Sequence, residues 1–166
     1  MPHPATVPAA DLLRVCDETR TRRGGPGGQH RNKVETAVVL LHRPTGIFAQ
    51  ASERRSQEEN RRQAVWRLRL ALALGQRSEG PVEGRSRLWE SRLRGRRIEV
   101  AADHDDYPAL LAEACDHLQA TGWDPGPAAA ELGVTQTQLV GLFRKTPQAW
   151  QVFTGRRADH GLHRLP

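Results

Sequence analysis

The stretch TAVVLLHRPTGIFAQASERRSQEENRRQAVWRLRLALALG, residues 36–75, decides the fold. Residues 36–42 are β-branched and apolar, Pro44, Thr45 and Gly46 form a turn, and residues 47–51 make a second apolar run. Two short apolar runs around a Pro/Gly turn predict a β-hairpin. At Ser56 the period changes. Glu59 stands three residues later, the spacing of a capping box, and Gly75 closes the segment, so a helix is predicted between them. Ala64, Val65, Leu68 and Leu72 fall on one face of that helix. A hairpin with one apolar side and a helix with one apolar stripe bury each other, which makes this part α+β.

Working back towards the N-terminus, residues 23–38 read RGGPGGQHRNKVETAV. Four glycines and a proline occupy positions 24–28, and a neutral amide, Gln29, follows. Glycine lets a backbone take positive φ or approach another molecule closely, because no Cβ intervenes. His30, Arg31, Asn32 and Lys33 then form a cationic, donor-rich collar. Such a loop suits a crowded anionic site, and RNA is one. Before it, residues 10–16 predict a short helix or turn and residues 18–22 a polar strand.

Working forward, residues 76–84 are rich in Gly, Pro, Ser and Glu and are expected to be a mobile linker or loop. Residues 89–100 are expected to form one or two basic strands. Asp106-Tyr107-Pro108 opens a helix with Leu110, Leu111, Ala114, Cys115 and Leu118 inward and Gly122 at its end. Residues 125–132 give a second helix, Gly133 to Thr135 a turn, Thr135 and Gln138 a capping pair for a third, and Thr146-Pro147 a fourth. The run AAAELGVTQTQLVGLF resembles a helix–turn–helix. Residues 136–144 are then either a recognition helix that touches nucleic acid or one member of a small trihelical packing unit. The domains expected are 1–75, a linker and basic strand segment at 76–100, and a helical domain at 101–166.

Charge points to a polyanionic partner. The 166 residues carry a net +6, with +9 in residues 1–100 and −3 in residues 101–166. Cys16 and Cys115 are the only cysteines and form no CxxC, so a disulfide scaffold or zinc ribbon is not indicated. No apolar run is long enough for a membrane span, and MPHPATVPAA lacks the basic start of a secretory signal. A reducing, cytoplasmic setting without membrane attachment is expected. His160 and His163 have ligand-like spacing but lack clear companions, so neither a metal nor another cofactor is expected. Trp66, Trp89, Trp123 and Trp150 are expected in cores or interfaces.

GGPGGQHRNKVETAV, followed by HRPTGIFAQASERRSQEENRRQAVWRLR, resembles the catalytic domain of class-I peptide chain release factors and their ribosome-rescue relatives. The resemblance covers about residues 12–74. It rests on the tripeptide Gly27-Gly28-Gln29, on Asn32, on the PTGI turn and on ERRSQ-x-x-N in order and at family spacing. Gly24 stands where many relatives carry serine. Within these 166 residues neither a stop-codon-reading domain nor the family's N-terminal helical domain is expected. The PTGI hairpin is closer to release factors than to the short rescue hydrolases with basic tails.

The resemblance implies hydrolysis of the ester between a nascent peptide and tRNA. The partners it implies are the large-subunit rRNA of the ribosome and peptidyl-tRNA, with a glutamine methyltransferase acting on Gln29 as a candidate partner and the protein acting as a monomer. Gly27, Gly28 and Gln29 are the catalytic candidates. A neutral amide is a poor general base, but it can orient water, and its backbone N–H can stabilise a developing oxyanion. Arg22, Arg23, Arg31 and Lys33 are candidate phosphate contacts, or else a solvated charged loop. His30 is a stacking or hydrogen-bonding candidate, or an ordinary loop histidine. Asn32 is expected to brace the loop. Arg54 and Arg55 are candidates to meet RNA, or a solvated first turn; Arg61, Arg62, Arg67 and Arg69 are expected to be mostly surface. Two functions compete: a codon-independent peptidyl-tRNA hydrolase of termination or ribosome rescue, and a non-catalytic RNA- or DNA-binding protein using the helix–turn–helix.

Overall fold

The computed structural model describes residues 2–22, 36–163 and 165. The chain divides into two compact units, Pro2–Gly75 and Gln76–Pro166. The architecture is α+β, as the two periodicities imply.

The first unit begins with a 3-10 turn, Pro4–Thr6, and helix α1, Ala9–Arg14. Strands β1, Cys16–Thr21, β2, Ala37–His42, and β3, Phe48–Ala51, form an antiparallel sheet in that order. The register pairs Cys16 with His42 and Thr21 with Ala37, then Val38 with Ala51 and Leu41 with Phe48. Gly46, at φ 72°, supplies the left-handed residue that closes the β2–β3 turn. The buried side of the sheet, Val38, Leu40, Ala49 and Ala51, alternates with residues that face out, as period two requires. Helix α2, Gln57–Gly75, covers that side with Ala64, Val65, Leu68 and Leu72. Ser56 Oγ accepts from Glu59 N–H at 3.3 Å and caps the helix, as its spacing predicts.

Most arginines of α2 brace the unit. Arg61 pairs with Glu18 at 2.8 Å, Arg67 pairs with Glu53 at 2.6 Å and donates to Gln50 O at 2.8 Å, and Arg69 donates to Ala5 O at 3.0 Å. A surface reading holds for Arg62, which is exposed.

The second unit departs from expectation at its start. Arg87–Arg92 form a helix, α3, which takes in the first residues of the strand segment that the sequence predicts at 89–100. Ser86 caps it through Trp89 N–H, and Trp89, fully buried, donates its indole N–H to Leu132 O at 2.8 Å. Among the described residues of this unit, Leu93–Arg94 (β4) and Arg97–Ile98 (β5) are the strands, paired around Gly95. Segment 76–86 holds no helix or strand, yet it is fastened to the helices at several points, among them Ser86 N–H donating to Glu113 at 2.7 Å. Ser78 N–H donates to Asp116 at 3.0 Å, and the buried His117 ring reaches Gly84 O at 2.9 Å.

Helices α4, Tyr107–Ala120, α5, Pro125–Glu131, α6, Gln136–Phe143, and α7, Pro147–Asp159, complete this unit. Its core includes Tyr107, Leu110, Leu111, Leu118, Trp123, Leu139, Leu142, Phe143 and Phe153, with Phe143 and Phe153 stacked at 4.9 Å. Trp66 and Trp150 are half-buried, whereas Trp89 and Trp123 are fully inside. Arg157 does not belong with the exposed cations. It is buried, donating to Trp123 O at 3.0 Å and His163 O at 2.9 Å.

Candidate active site

The connection between β1 and β2 carries the Gly-Gly-Gln tripeptide, and antiparallel pairing of Thr21 with Ala37 brings the two ends of that connection side by side. Gly27, Gly28, Gln29, Arg23, His30, Arg31, Asn32 and Lys33 lie outside the described residues. Their roles therefore rest on sequence. The base of the connection is described, and it is built by one buried amide.

Asn60, in the first turns of α2, has no solvent exposure. Its Nδ2 donates to Thr36 O at 2.7 Å and to Arg54 O at 3.0 Å, while its Oδ1 accepts from Arg54 N–H at 2.9 Å. One side chain thus joins the helix start, the turn after β3 and the residue at which the chain re-enters the sheet. A buried amide persists only when its donors and acceptors are matched, and here both ends are used. Asparagine is required because the site needs a donor on one side and an acceptor on the other. The sequence shows Asn60 inside ERRSQ-x-x-N, but nothing local assigns it this role; its presence within a helix, where asparagine is a poor former, was the available signal.

Arg22, Arg54 and Arg55 are the three sequence-predicted RNA contacts that the structure describes, and all are exposed. Arg22 follows the Thr21–Ala37 pair, and Arg54 is held to Thr36 through Asn60. They therefore gather at the end of the sheet from which segment 23–35 departs. Among the described residues none of the three makes an ion pair, in contrast to Arg43, Arg61 and Arg67. Glu18 and Glu53 are drawn away into braces. Burial favours a raised Glu18 carboxyl pKa, yet hydrogen bonds and charge from Arg61 and then Arg20 outweigh it and hold the carboxylate below its ordinary 4.5. Glu53 is lowered chiefly by Arg67.

The described part of this unit offers little conventional acid–base or nucleophilic chemistry. Burial raises the Cys16 thiol, against the opposing charge of Arg43, so a thiolate is disfavoured. Ser56 is spent on its helix cap, and burial followed by Arg43 lowers His42, whose Nδ1 sits 2.8 Å from Thr45 Oγ1. What the scaffold does provide is a group of exposed arginines, Arg22, Arg54 and Arg55, at the end of the sheet where one glycine-rich connection departs and returns.

Comparison with known proteins decides the family, since the RF-1 domain matches residues 14–102, more than half of the chain. The chain belongs to the RF-1 domain family. It is 47% identical over 66 residues to "Peptide chain release factor PrfB1, chloroplastic" of Arabidopsis thaliana, covering 40% of this chain and 14% of that protein. It is 45% identical over 60 residues to "Peptide chain release factor 1" of Akkermansia muciniphila, covering 36% and 15%. With "Peptide chain release factor 1" of Chlorobaculum tepidum it shares 53% identity over 51 residues, covering 31% and 14%. The chain therefore spans about one seventh of the length of the curated relatives it matches. No solved structure matches it. The RF-1 domain match extends through α3, β4 and β5 and ends before α4. No helix among the described residues is long and apolar enough to cross a membrane.

Proposed function

We propose that this protein is a ribosome-dependent peptidyl-tRNA hydrolase that releases nascent peptides without reading a codon. Membership of the RF-1 domain family, with Gly27-Gly28-Gln29 intact on the β1–β2 connection, carries the reading. Large-subunit rRNA and peptidyl-tRNA are its partners, and Arg22, Arg23, Arg31, Lys33, Arg54 and Arg55 approach RNA phosphates, with His30 against a base or sugar. Gly27 and Gly28 let the backbone enter a crowded RNA site. The Gln29 side chain orients the attacking water, and its backbone N–H donates to the oxygen that gains charge as the ester is attacked. One such donor is worth about 3–4 kcal/mol of transition-state stabilisation. Asn32 braces the loop by hydrogen bonds to backbone, and Gln29 is the candidate site for a glutamine methyltransferase.

Codon independence rests on residues 76–166, where no tripeptide-type codon determinant of the family occurs. Ribosomes carrying peptidyl-tRNA, with a stop codon, a sense codon or no mRNA in the vacant site, test both parts. Equal release in all three supports the reading. Release with the stop codon alone overturns codon independence, and no release in any case overturns the hydrolase. The competing nucleic-acid-binding role for residues 136–144 as a recognition helix gains little support. Leu139, Val140, Leu142 and Phe143 are buried, as either role requires, and the outward face offers the uncharged Gln136 and Thr137 and an Arg144 that lies over the Trp150 ring at 4.9 Å, so it carries little charge of its own for base reading.

A further inference from the structure

The second unit holds a charge separation that the hydrolase reading does not use. Residues 76–166 contain 12 Lys+Arg and 12 Asp+Glu, a net of zero. Within them, residues 85–98 hold six arginines and one glutamate, a net of +5. A neutral unit thus carries half of its positive charge, six of twelve cations, on Arg85, one short helix and the β4–β5 hairpin.

The structure fixes that segment to the turn of the helix–turn–helix by several independent contacts. Trp89 holds Leu132 O, Thr135 N–H donates to Arg96 O at 3.2 Å, and Arg96 Nη2 reaches Val134 O at 3.4 Å. The Arg85 guanidinium lies against Gly133, so closely that a Cβ there would fall 2.2 Å from Nη1. Gly133 also takes φ 69°, so both its backbone and its missing side chain serve this packing. Arg94, Arg96 and Arg97 remain exposed around Gly95, and Arg94 is steadied by Ser91 O at 3.1 Å and Leu93 O at 2.7 Å. Arg92 is withdrawn from the group by its ion pair with Asp106. Among the acidic neighbours, Glu90 lies 3.9 Å from Arg85, Glu113 accepts from Ser86 N–H at 2.7 Å, Asp106 is taken by Arg92, and Glu99 is exposed. Beside the hairpin, α6 presents the uncharged, exposed Gln136 and Thr137.

We propose that Arg94, Arg96 and Arg97 on the β4–β5 hairpin, with Arg85 just ahead of α3, form a second RNA-binding surface that grips phosphates irrespective of sequence. Guanidinium groups on a pre-ordered backbone lose little freedom when they pair with phosphate oxygens. Strands of two residues are too short to lie along a DNA major groove and read base edges. They suit the wide, shallow minor groove of an RNA helix, where phosphates and 2′-hydroxyls are displayed and where Gln136 and Thr137 can supply polar contacts. The surface would add affinity for structured RNA to a protein whose first unit carries the chemistry.

The test uses the intact protein and a labelled RNA stem-loop of about two helical turns, read by fluorescence anisotropy over a salt series, without ribosomes. It therefore succeeds or fails independently of peptide release. Arg94→Gln/Arg97→Gln should weaken binding about 10–60-fold near 0.1 M salt and reduce the log–log salt slope by about 1.8, because two phosphate contacts are lost. Should that variant melt early, Arg97→Glu alone reports on the same surface. Lys145→Gln/Arg156→Gln removes two exposed charges elsewhere on the unit and should change binding less than about threefold. Unchanged affinity and slope in the hairpin variants overturn the proposal, as does an equal loss in the control pair. Tighter binding to a DNA duplex of the same sequence overturns the assignment to RNA.

Discussion

Replacing Asn60 by alanine tests whether one buried amide sets the base of the glycine-rich connection. The substitution removes three hydrogen bonds to backbone groups of Thr36 and Arg54. A buried hydrogen bond contributes about 0.5–1.5 kcal/mol net, and an orphaned buried partner costs more. Two of the three groups belong to exposed Arg54, so water recovers part of the loss there; Thr36 is half-buried and recovers less. The expected cost is about 2–3 kcal/mol. For a unit of this size that lowers the melting temperature by about 10–20 °C. The local signature is faster exchange of the Arg54 amide hydrogen, which Asn60 Oδ1 now protects. Peptide release measured well below the melting point should fall more than the folded fraction does, because Arg54 and the re-entry point are no longer held together. Asn60→Asp gives a signed control. Its carboxylate would face two carbonyls, raising its pKa in the fold, so stability would improve as pH falls and the group regains a donor. A melting shift below about 2 °C in Asn60→Ala, with the amide still protected and release unchanged, would refute this account.

At the tip, Gln29→Ala should lower single-turnover peptide release by about 10²–10³-fold with ribosome affinity nearly unchanged; retention of parental rates would remove the glutamine from the chemistry. Acid should act on the first unit through His42, whose pKa is depressed below 6.5 by burial and then by Arg43. The unfolded chain then binds the proton more readily, so stability is complete above pH 6.5 and declines as pH falls from there towards the depressed value. Glu18 and Glu53, both lowered from 4.5, add a second loss at more acid pH, and denaturant midpoints across the range would show both stages. Arg157→Met should destabilise the second unit by about 2–4 kcal/mol, since Trp123 O and His163 O lose their donor, yet leave RNA affinity unaltered. Weakened RNA binding in a fully folded Arg157→Met protein would restore that arginine to the surface.

The parts legible in the sequence are those whose cause is periodic or local. Val38, Leu40, Ala49 and Ala51 alternate, Ala64, Leu68 and Leu72 recur at helical spacing, and Ser56, Thr135 and Thr146 announce the helices they cap. The glycine-rich tripeptide is legible for another reason, because its composition has few structural uses. What escapes is long-range and made by single side chains. Asn60 reaches a carbonyl 24 positions away, and Arg157 reaches one 34 positions away; neither leaves a pattern in its own neighbourhood. Charge alone is then misleading, since Arg157 looks like a surface cation until its carbonyl partners are known.

Segment 87–92 shows how the same physics reverses a local reading. RLWESR is too short to display a helical stripe, and six isolated residues would not sustain a helix in water. Its stability is borrowed. Ser86 caps the first turn, and the Trp89 ring is fully buried while its N–H caps a carbonyl at the end of α5. That single anchor converts a segment whose end reads as basic strand into the helical support of the β4–β5 hairpin, and it does so beside the turn where Arg85 and Arg96 pack. The acidic balance of residues 101–166 argues against RNA only when those residues are taken alone. Taken with the segment that Trp89 fastens to them, the same unit is neutral and carries six arginines together, so the structural role of one tryptophan determines where positive charge can meet a phosphate.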